Sequence, residues 1–221
     1  MEIYVYIGIC LLISYLSGSI PFAFIYGKVI KGIDIRQHGS GNIGATNVLR
    51  VFGTIPGIIV LLLDILKGFL PVYLFKLLII LPSEYSYVPI AMGLCAILGH
   101  TFTVFLSFKG GKGVATAAGV CLALMPLFLL GALLIFIITV SFTRYVSAGS
   151  ILASLCLLLM EIMSFWGSNT TIYEYETYSS GSDIYRLIFV CILVFFIVYK
   201  HKSNIYRLLN GTENKITFKK K

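Results

Sequence analysis

The residues best suited to chemistry in this sequence lie in three short polar segments between long apolar runs. The first reads Gly-Ser-Gly-Asn-Ile-Gly over residues 39–44. Glycines allow several backbone N–H groups to converge on one anion, and the start of a helix adds a positive dipole end. Neutral side-chain donors lie in or beside the segment: Ser40, Asn42, Thr46 and Asn47. A flexible loop with a helix N-cap would have a similar composition, so this segment alone leaves anion binding and a structural role equally open.

The second segment, residues 109–113, reads Lys-Gly-Gly-Lys-Gly and precedes another apolar run. Lys109 and Lys112 among three glycines make a compact cation site where a helix begins. A positively charged anchor at a membrane surface would explain the lysines but not the glycines. Nucleotide motifs fit neither segment, because Lys112 is not followed by Ser or Thr and the GxGxxG spacing at 39–44 does not follow a strand.

The third segment, residues 201–215, begins directly after the last apolar run. On a helix, His201 and Asn204 are three residues apart and share a face, with Arg207 one turn further. These side chains could therefore point toward one substrate. A basic interfacial tail is the alternative, and it is the interpretation that we favour for the lysines at 219–221.

The composition shows what kind of scaffold must position these segments. Of 221 residues, 58% are hydrophobic and 12% are charged, whereas soluble domains carry about 25% charged residues. Apolar runs of about 20 residues recur, and each could cross a hydrocarbon core of about 30 Å as a helix. The net charge of +8 comes from basic residues beside these runs, which indicates contact with membrane lipids and anionic substrates rather than with nucleic acid. The five cysteines form no CxxC pair, and we expect neither a metal site nor a cofactor.

The distribution of charge predicts an all-α polytopic membrane protein with a single membrane domain over residues 1–221. The cytoplasmic motif segments within it are 28–53, 107–116 and 201–215. Basic residues concentrate in the connections 28–53 and 107–113, at Arg144, and from Lys200 onward, including a basic tail at 216–221. By the positive-inside rule these connections are cytoplasmic and the N-terminus is outside. The apolar stretch 114–143 must then cross twice, and Pro126 is the place for a break. We therefore predict about seven helices with the fourth short or re-entrant; a single helix over 114–143 is the alternative.

Two opposite charges lie inside the second apolar run. Asp64 and Lys67 are three residues apart on one helix face. An unpaired charge at that depth is costly, so we predict that they neutralise each other.

The three segments together resemble the motifs of the bacterial membrane glycerol-3-phosphate acyltransferases that use acyl-phosphate as donor. The resemblance covers residues 39–50, 99–116 and 201–215, and residues 17–21 and 64–68 also fit it. It implies seven helices in a bacterial cell membrane, with the N-terminus outside and the active site on the cytoplasmic face. The implied reaction transfers an acyl group from acyl-phosphate to the sn-1 hydroxyl of glycerol 3-phosphate, giving lysophosphatidic acid and inorganic phosphate at the first acylation step of phospholipid synthesis. An upstream enzyme that makes acyl-phosphate is a further implied partner.

The resemblance also assigns roles to individual residues. His201 and Asn204 would position the reacting groups as catalytic residues. The loop 40–44 would surround the phosphoryl group of acyl-phosphate, while Arg50 and Lys112 would hold glycerol 3-phosphate. The full set of implied substrate-binding residues is Ser40, Gly41, Asn42, Gly44, Thr46, Asn47, Arg50, Lys109 and Lys112.

The residue chemistry agrees with direct acyl transfer between two bound substrates. Two phosphates in one site repel each other, and cations with backbone donors offset that repulsion. The sequence has no HxxxxD pattern after a histidine and no GxSxG nucleophile elbow, so we expect no acyl-enzyme intermediate. The proton acceptor stays open between His201 and a substrate phosphate oxygen, and a magnesium ion bridging the phosphates is a further alternative. A membrane transporter of a phosphate-bearing solute is the competing function, and a noncatalytic scaffold is the third.

Overall fold

The computed structural model describes residues 2–80, 82–167 and 182–216, and the regular structure in these ranges is helical. Residues 168–181 and the lysines of the basic tail at 219–221 lie outside the described residues. The α-helices of the described residues, in chain order, are α1 Glu2–Ser19, α2 Phe22–Ile25, α3 Ala45–Phe52, α4 Thr54–Leu78, α5 Val88–Thr101, α6 Val114–Leu124, α7 Pro126–Thr143, α8 Val146–Trp166, α9 Ser182–Lys200 and α10 Lys202–Leu209. Short π and 3-10 turns connect some of them, at Tyr26–Ile30, Ile35–Gln37, Ser83–Tyr85 and Val104–Leu106.

The long helices have the dimensions of membrane spans. Within the described ranges, five segments are long and apolar enough to cross a bilayer, and α9 with α10, bent by 56°, makes a sixth. Their outward faces carry exposed leucine, isoleucine and phenylalanine side chains, as expected for helices solvated by lipid. The predicted all-helical membrane architecture is therefore confirmed.

The helices pack closely where small residues face each other. A Cβ on Gly119 of α6 would overlap the carbonyl of Ile65 in α4, and a Cβ on Gly99 of α5 would overlap the carbonyl of Tyr15 in α1. Lipid supplies no hydrophobic force to join helices, so close backbone approach through small residues stabilises such pairs. These two contacts fix α4 and α5, which border the polar segments.

The apolar stretch 114–143 divides into two helices, as predicted. Helix α6 ends at Leu124 and α7 begins at Pro126, with the fully buried Met125 between them. Proline is suited to the first position of a helix because its missing N–H would have no intrahelical acceptor there. Helix α6 has 11 residues, so it reaches only about 17 Å along its axis.

The segment after α10 folds back onto the turn between α7 and α8. The backbone N–H of Ile216 donates to the carbonyl of Arg144 at 2.8 Å. A left-handed Gly211, with φ of 67°, reverses the chain before this contact. The sequence did not lead us to predict this return, which brings residues 212–216 beside the basic loops that carry Arg50, Lys112 and Arg144.

The charged pair inside α4 forms as predicted. Lys67 Nζ lies 2.7 Å from Asp64 Oδ1, and both side chains are almost fully buried. The same ammonium group donates to the carbonyl of Ile20 at 2.8 Å. Each charge thus has a partner, which offsets the cost of burying it.

Candidate active site

The second and third polar segments meet through one chain of hydrogen bonds. Lys112 Nζ donates to Asn204 Oδ1 at 2.5 Å, although the two residues lie far apart in sequence. The other side of the Asn204 amide, Nδ2, donates to Glu213 Oε1 at 2.7 Å. Asn204 is buried at the start of α10, so its orientation is fixed by both partners.

Glu213 is the centre of this cluster, and sequence reasoning gave it no role. Its Oε1 also accepts from Ser147 Oγ at 3.0 Å, and its Oε2 accepts from Arg207 Nε at 2.7 Å. Burial raises the pKa of the Glu213 carboxyl, but the three donated hydrogen bonds and the charge of Arg207 together bring the pKa below its ordinary value. Glu213 is therefore an anion at neutral pH. Its signal in the sequence was its position as a lone acidic residue within a basic segment.

Three cations surround this single carboxylate. Arg50 Nη2 donates to the carbonyl of Asn214 at 3.1 Å, while its Nε is buried and has no hydrogen-bond partner among the described residues. Burial lowers the pKa of Arg50, but a guanidinium stays charged in proteins. Burial lowers the pKa of Lys112 to about 8, with the charge of Glu213 acting in the opposite direction. Three cations, Lys112, Arg50 and Arg207, therefore face one carboxylate, that of Glu213. The excess of positive charge suits an anionic substrate.

His201 lies at the break between α9 and α10 and is 2% exposed. Its Nδ1 is 2.8 Å from the carbonyl oxygen of Ile197. A carbonyl can only accept, so Nδ1 carries the proton and Nε2 keeps its lone pair. Burial lowers the pKa of His201 to about 4, and the charge of Lys112 acts in the same direction. The ring is therefore a neutral hydrogen-bond acceptor at physiological pH.

The first polar loop is shaped by Asn47. The backbone N–H of Ser40 donates to Asn47 Oδ1 at 2.8 Å, and Asn47 Nδ2 donates to the carbonyls of His38 and Ile35 at 2.9 and 3.3 Å. The fully buried Asn47 thus uses its amide within the loop. Asn47 supports the loop, and the remaining candidates lie exposed or half-buried around it: Ser40, Gly41, Asn42, Gly44 and Thr46.

Helix α3 connects this loop to the cation cluster. The helix begins at Ala45 with Gly44 as its N-cap, and it carries Arg50 in its last turn. Five residues of helix span about 8 Å, so one short element carries both the candidate phosphate loop and a guanidinium of the cluster. Two substrates with adjacent phosphates could lie along this distance.

The glycines of the second loop allow it to pack against the end of α5. The backbone N–H of Gly110 donates to the carbonyl of Thr101 at 2.9 Å, and that of Gly111 donates to the carbonyl of His100 at 3.1 Å. A Cβ on either glycine would overlap α5 atoms. Residues 110 and 111 must therefore be glycines for the loop to pack against α5. A positively charged membrane anchor would not require glycine at these positions. Lys109, by contrast, is exposed at this loop.

The described residues contain no group of three His, Cys, Asp or Glu side chains arranged to hold a metal ion.

Comparison with known proteins identifies close relatives over nearly the whole chain. A family model described as glycerol-3-phosphate acyltransferase matches residues 8–211. A glycerol-3-phosphate acyltransferase of Fusobacterium nucleatum is 43% identical over 94% of this chain and 97% of its own. Glycerol-3-phosphate acyltransferase 2 of Bacillus anthracis is 47% identical over 93% and 97% of the two chains.

Two crystal structures of the integral membrane glycerol 3-phosphate acyltransferase PlsY share this fold. They are 36% identical to this chain and cover 96% of it and 96% of their own length. The glycerol 3-phosphate form matches with a TM-score of 0.81, and the lysophosphatidic acid form matches with 0.79.

Proposed function

We propose an acyl-phosphate donor and a cytoplasmic active site for this chain, which belongs to the glycerol-3-phosphate acyltransferase family. The chain is an integral membrane enzyme that acylates glycerol 3-phosphate to give lysophosphatidic acid. The observation that carries our proposal is the cluster of Lys112, Arg50 and Arg207 around one carboxylate. Such an excess of positive charge offsets the repulsion between two phosphates that meet at the reacting carbonyl, whereas a thioester donor places sulfur and no phosphate there.

The cluster supports separate positions for the two substrates. Arg50 offers a buried Nε that has no partner among the described residues, and Lys112 offers an ammonium group nearby. These two groups would hold the phosphate of glycerol 3-phosphate. The loop 40–44, shaped by Asn47, would hold the donor phosphoryl group with backbone donors and with Ser40, Asn42 and Thr46. Lys109, exposed at its loop, would attract substrate without touching the reacting atoms.

The reaction then needs orientation more than a strong base. The sn-1 hydroxyl oxygen attacks the acyl carbonyl carbon, a new ester bond forms, and the bond from that carbon to the phosphate oxygen breaks. An imidazole with a pKa of about 4 is a weaker base than a phosphate dianion, whose conjugate acid has a pKa of about 6. The departing phosphate therefore takes the proton. His201 Nε2 accepts a hydrogen bond from the hydroxyl, and Asn204 fixes Lys112, so both act by positioning.

A single membrane domain of about seven passes suits this chemistry, with α6 as a short fourth pass and the N-terminus outside. Arg144, Arg50 and Lys112 belong to three different connections, yet all contact the segment 201–216. The basic connections therefore meet at one end of the bundle, which the positive-inside rule places in the cytoplasm. Acyl-phosphate is a reactive mixed anhydride, so an upstream enzyme must supply it on that side. A bacterial cell membrane fits the bacterial relatives.

The donor is tested with purified protein, glycerol 3-phosphate and either palmitoyl-phosphate or palmitoyl-CoA. We expect lysophosphatidic acid and equimolar inorganic phosphate only with palmitoyl-phosphate. Lys112→Met should abolish most turnover, whereas Lys109→Met, which removes an exposed charge from the same loop, should lower kcat/KM only slightly and leave kcat unchanged. Equal turnover with palmitoyl-CoA would refute the proposed donor, and full activity of Lys112→Met would refute the site. The transporter and scaffold alternatives lose their support because the relatives are acyltransferases.

A further inference from the structure

The buried ring of His100 separates the charged pair of α4 from the loop that carries Lys112. His100 is in the last turn of α5 and is 7% exposed. On one side, its Nε2 lies where a Cβ of Gly111 would be, so the ring packs directly on the Gly111 backbone. On the other side, its Nδ1 lies 3.7 Å from Asp64 Oδ1.

The backbone of the loop is held at the same place. Gly111 donates its N–H to the carbonyl of His100, and Gly110 donates its N–H to the carbonyl of Thr101. The next residue is Lys112, which reaches Asn204. The segment 110–111 is therefore clamped between the end of α5 and the imidazole ring. A displacement of the ring would let this segment move toward the bundle and carry Lys112 away from Asn204.

The contact with Asp64 sets the orientation of the ring. His100 Nδ1 is buried and has no hydrogen-bond partner among the described residues, and the buried Asp64 Oδ1 that faces it is held by Lys67 Nζ. Their separation of 3.7 Å is slightly longer than a hydrogen bond. A carboxylate at this distance favours the tautomer with the proton on Nδ1 and directs that edge of the ring away from the loop. Asp64 is itself fixed by Lys67.

We propose that His100 is a positioning residue for acyl transfer, which sets the position of Lys112 by supporting Gly111, with Asp64 orienting the ring. The proposal rests on the proposed function, because it assigns importance to Lys112 as a ligand of glycerol 3-phosphate. A misplaced Lys112 weakens phosphate binding before the reaction begins. The KM for glycerol 3-phosphate should therefore change more than kcat.

Substitution of His100 by glutamine or by asparagine distinguishes the contact made by Nε2 from the contact made by Nδ1. Glutamine reaches the position of Nε2 and keeps the contact with Gly111, whereas asparagine reaches only the position of Nδ1 and keeps the contact with Asp64. For His100→Asn and His100→Ala we expect the KM for glycerol 3-phosphate to rise about tenfold or more. For His100→Gln we expect it to stay within about threefold of the wild type, with kcat within about threefold in all three variants. A KM for glycerol 3-phosphate that is unchanged in the asparagine variant, or raised equally in both amide variants, overturns the proposal.

A double-mutant cycle tests the contact from the other side. Gly111→Ala alone should raise the KM for glycerol 3-phosphate about tenfold, because its methyl group would overlap the imidazole. In the His100→Ala background the same methyl group enters space that the ring has left. The combined effect should therefore be smaller than the product of the two single effects, whereas independent positions would multiply.

The remaining outcomes are also decisive. If His100→Ala does not fold, Gly111→Ala carries the test alone, and an unchanged KM for glycerol 3-phosphate overturns the proposal. Lower melting temperatures with unchanged KM would show a purely structural histidine and would overturn it too. Failure of the proposed function is distinguishable, because the wild-type protein would then give no product from palmitoyl-phosphate.

Discussion

Lys112 gives the sharpest prediction about pH. Burial lowers its pKa to about 8, so about nine-tenths of the side chain is cationic at pH 7 and about one-tenth at pH 9. Only the cation attracts phosphate. Raising the pH through 8 therefore removes binding, and kcat/KM for glycerol 3-phosphate should fall about tenfold per pH unit above that point. Below about pH 6, kcat/KM should fall as well, because the substrate phosphate, whose second pKa is about 6, loses one negative charge there.

The Lys112→Arg variant tests whether Lys112 is the group whose titration lowers kcat/KM above pH 8. A guanidinium remains charged above pH 12, so the fall above pH 8 should disappear in this variant. Its kcat/KM at pH 7 should be about tenfold lower, because the longer planar group cannot reproduce the ammonium contact with Asn204. Lys109→Arg, at an exposed lysine on the same loop, should keep the wild-type profile.

The assay is the initial rate of phosphate release at subsaturating glycerol 3-phosphate and fixed palmitoyl-phosphate, from pH 5.5 to about 10. Spontaneous hydrolysis of the donor is subtracted at each pH with heat-inactivated protein. An alkaline limb near pH 8 that persists in Lys112→Arg would assign the titration to another group. A wild-type profile that is flat to pH 10 would refute the role of a buried ammonium in substrate binding.

Three further predictions concern the loop, the carboxylate and the buried pair. Asn47→Ala removes three hydrogen bonds from the first loop, so the KM for acyl-phosphate should rise about tenfold and the KM for glycerol 3-phosphate much less; equal changes in both would contradict the assignment of this loop. Glu213→Gln leaves Arg207 facing a neutral amide and should cost about 2 kcal/mol of unfolding free energy, measured by thermal melting against Ser147→Ala as a milder control. Asp64→Asn should lower the melting temperature more than the double variant Asp64→Asn with Lys67→Met, because only the single change leaves a buried charge unpaired; the reverse order would show that the pair is not coupled.

The features that the sequence predicted correctly follow from the membrane environment. The break before Pro126 was predicted from the connections that carry basic residues. A single helix over 114–143 would have placed one of these connections on the outer side of the membrane. The pairing of Asp64 with Lys67 followed from their spacing and from the cost of a lone charge in lipid. Both predictions rest on solvation costs that act locally along the chain.

The features that were missed depend on contacts distant in sequence. The role of Glu213 could not be predicted, because a lone acidic residue in a basic segment gives no indication of Ser147, which comes from the start of α8. The support that Asn47 gives to its own loop was also missed, because its amide contacts Ser40, His38 and Ile35 only once the loop has folded. Its implied part in substrate binding stays a prediction. The glycines at 110 and 111 looked like phosphate-loop glycines, but their need for close approach depends on the end of α5. Such roles depend on tertiary packing, which local patterns do not specify.

The return of the chain at Gly211 also bears on how the protein is made. Glu213 lies after α9 and α10 in chain order, so a ribosome that synthesises and inserts the protein delivers the central carboxylate only after all the described helices. Until then, Arg207 and Lys112 lack their shared anion, and like charges at the cluster repel. At synthesis rates of about 5–20 residues per second, a nascent chain with its helices already inserted still lacks the carboxylate of this cluster until Glu213 emerges. The cluster around Glu213 is therefore completed only after the helices that carry its cations have been made.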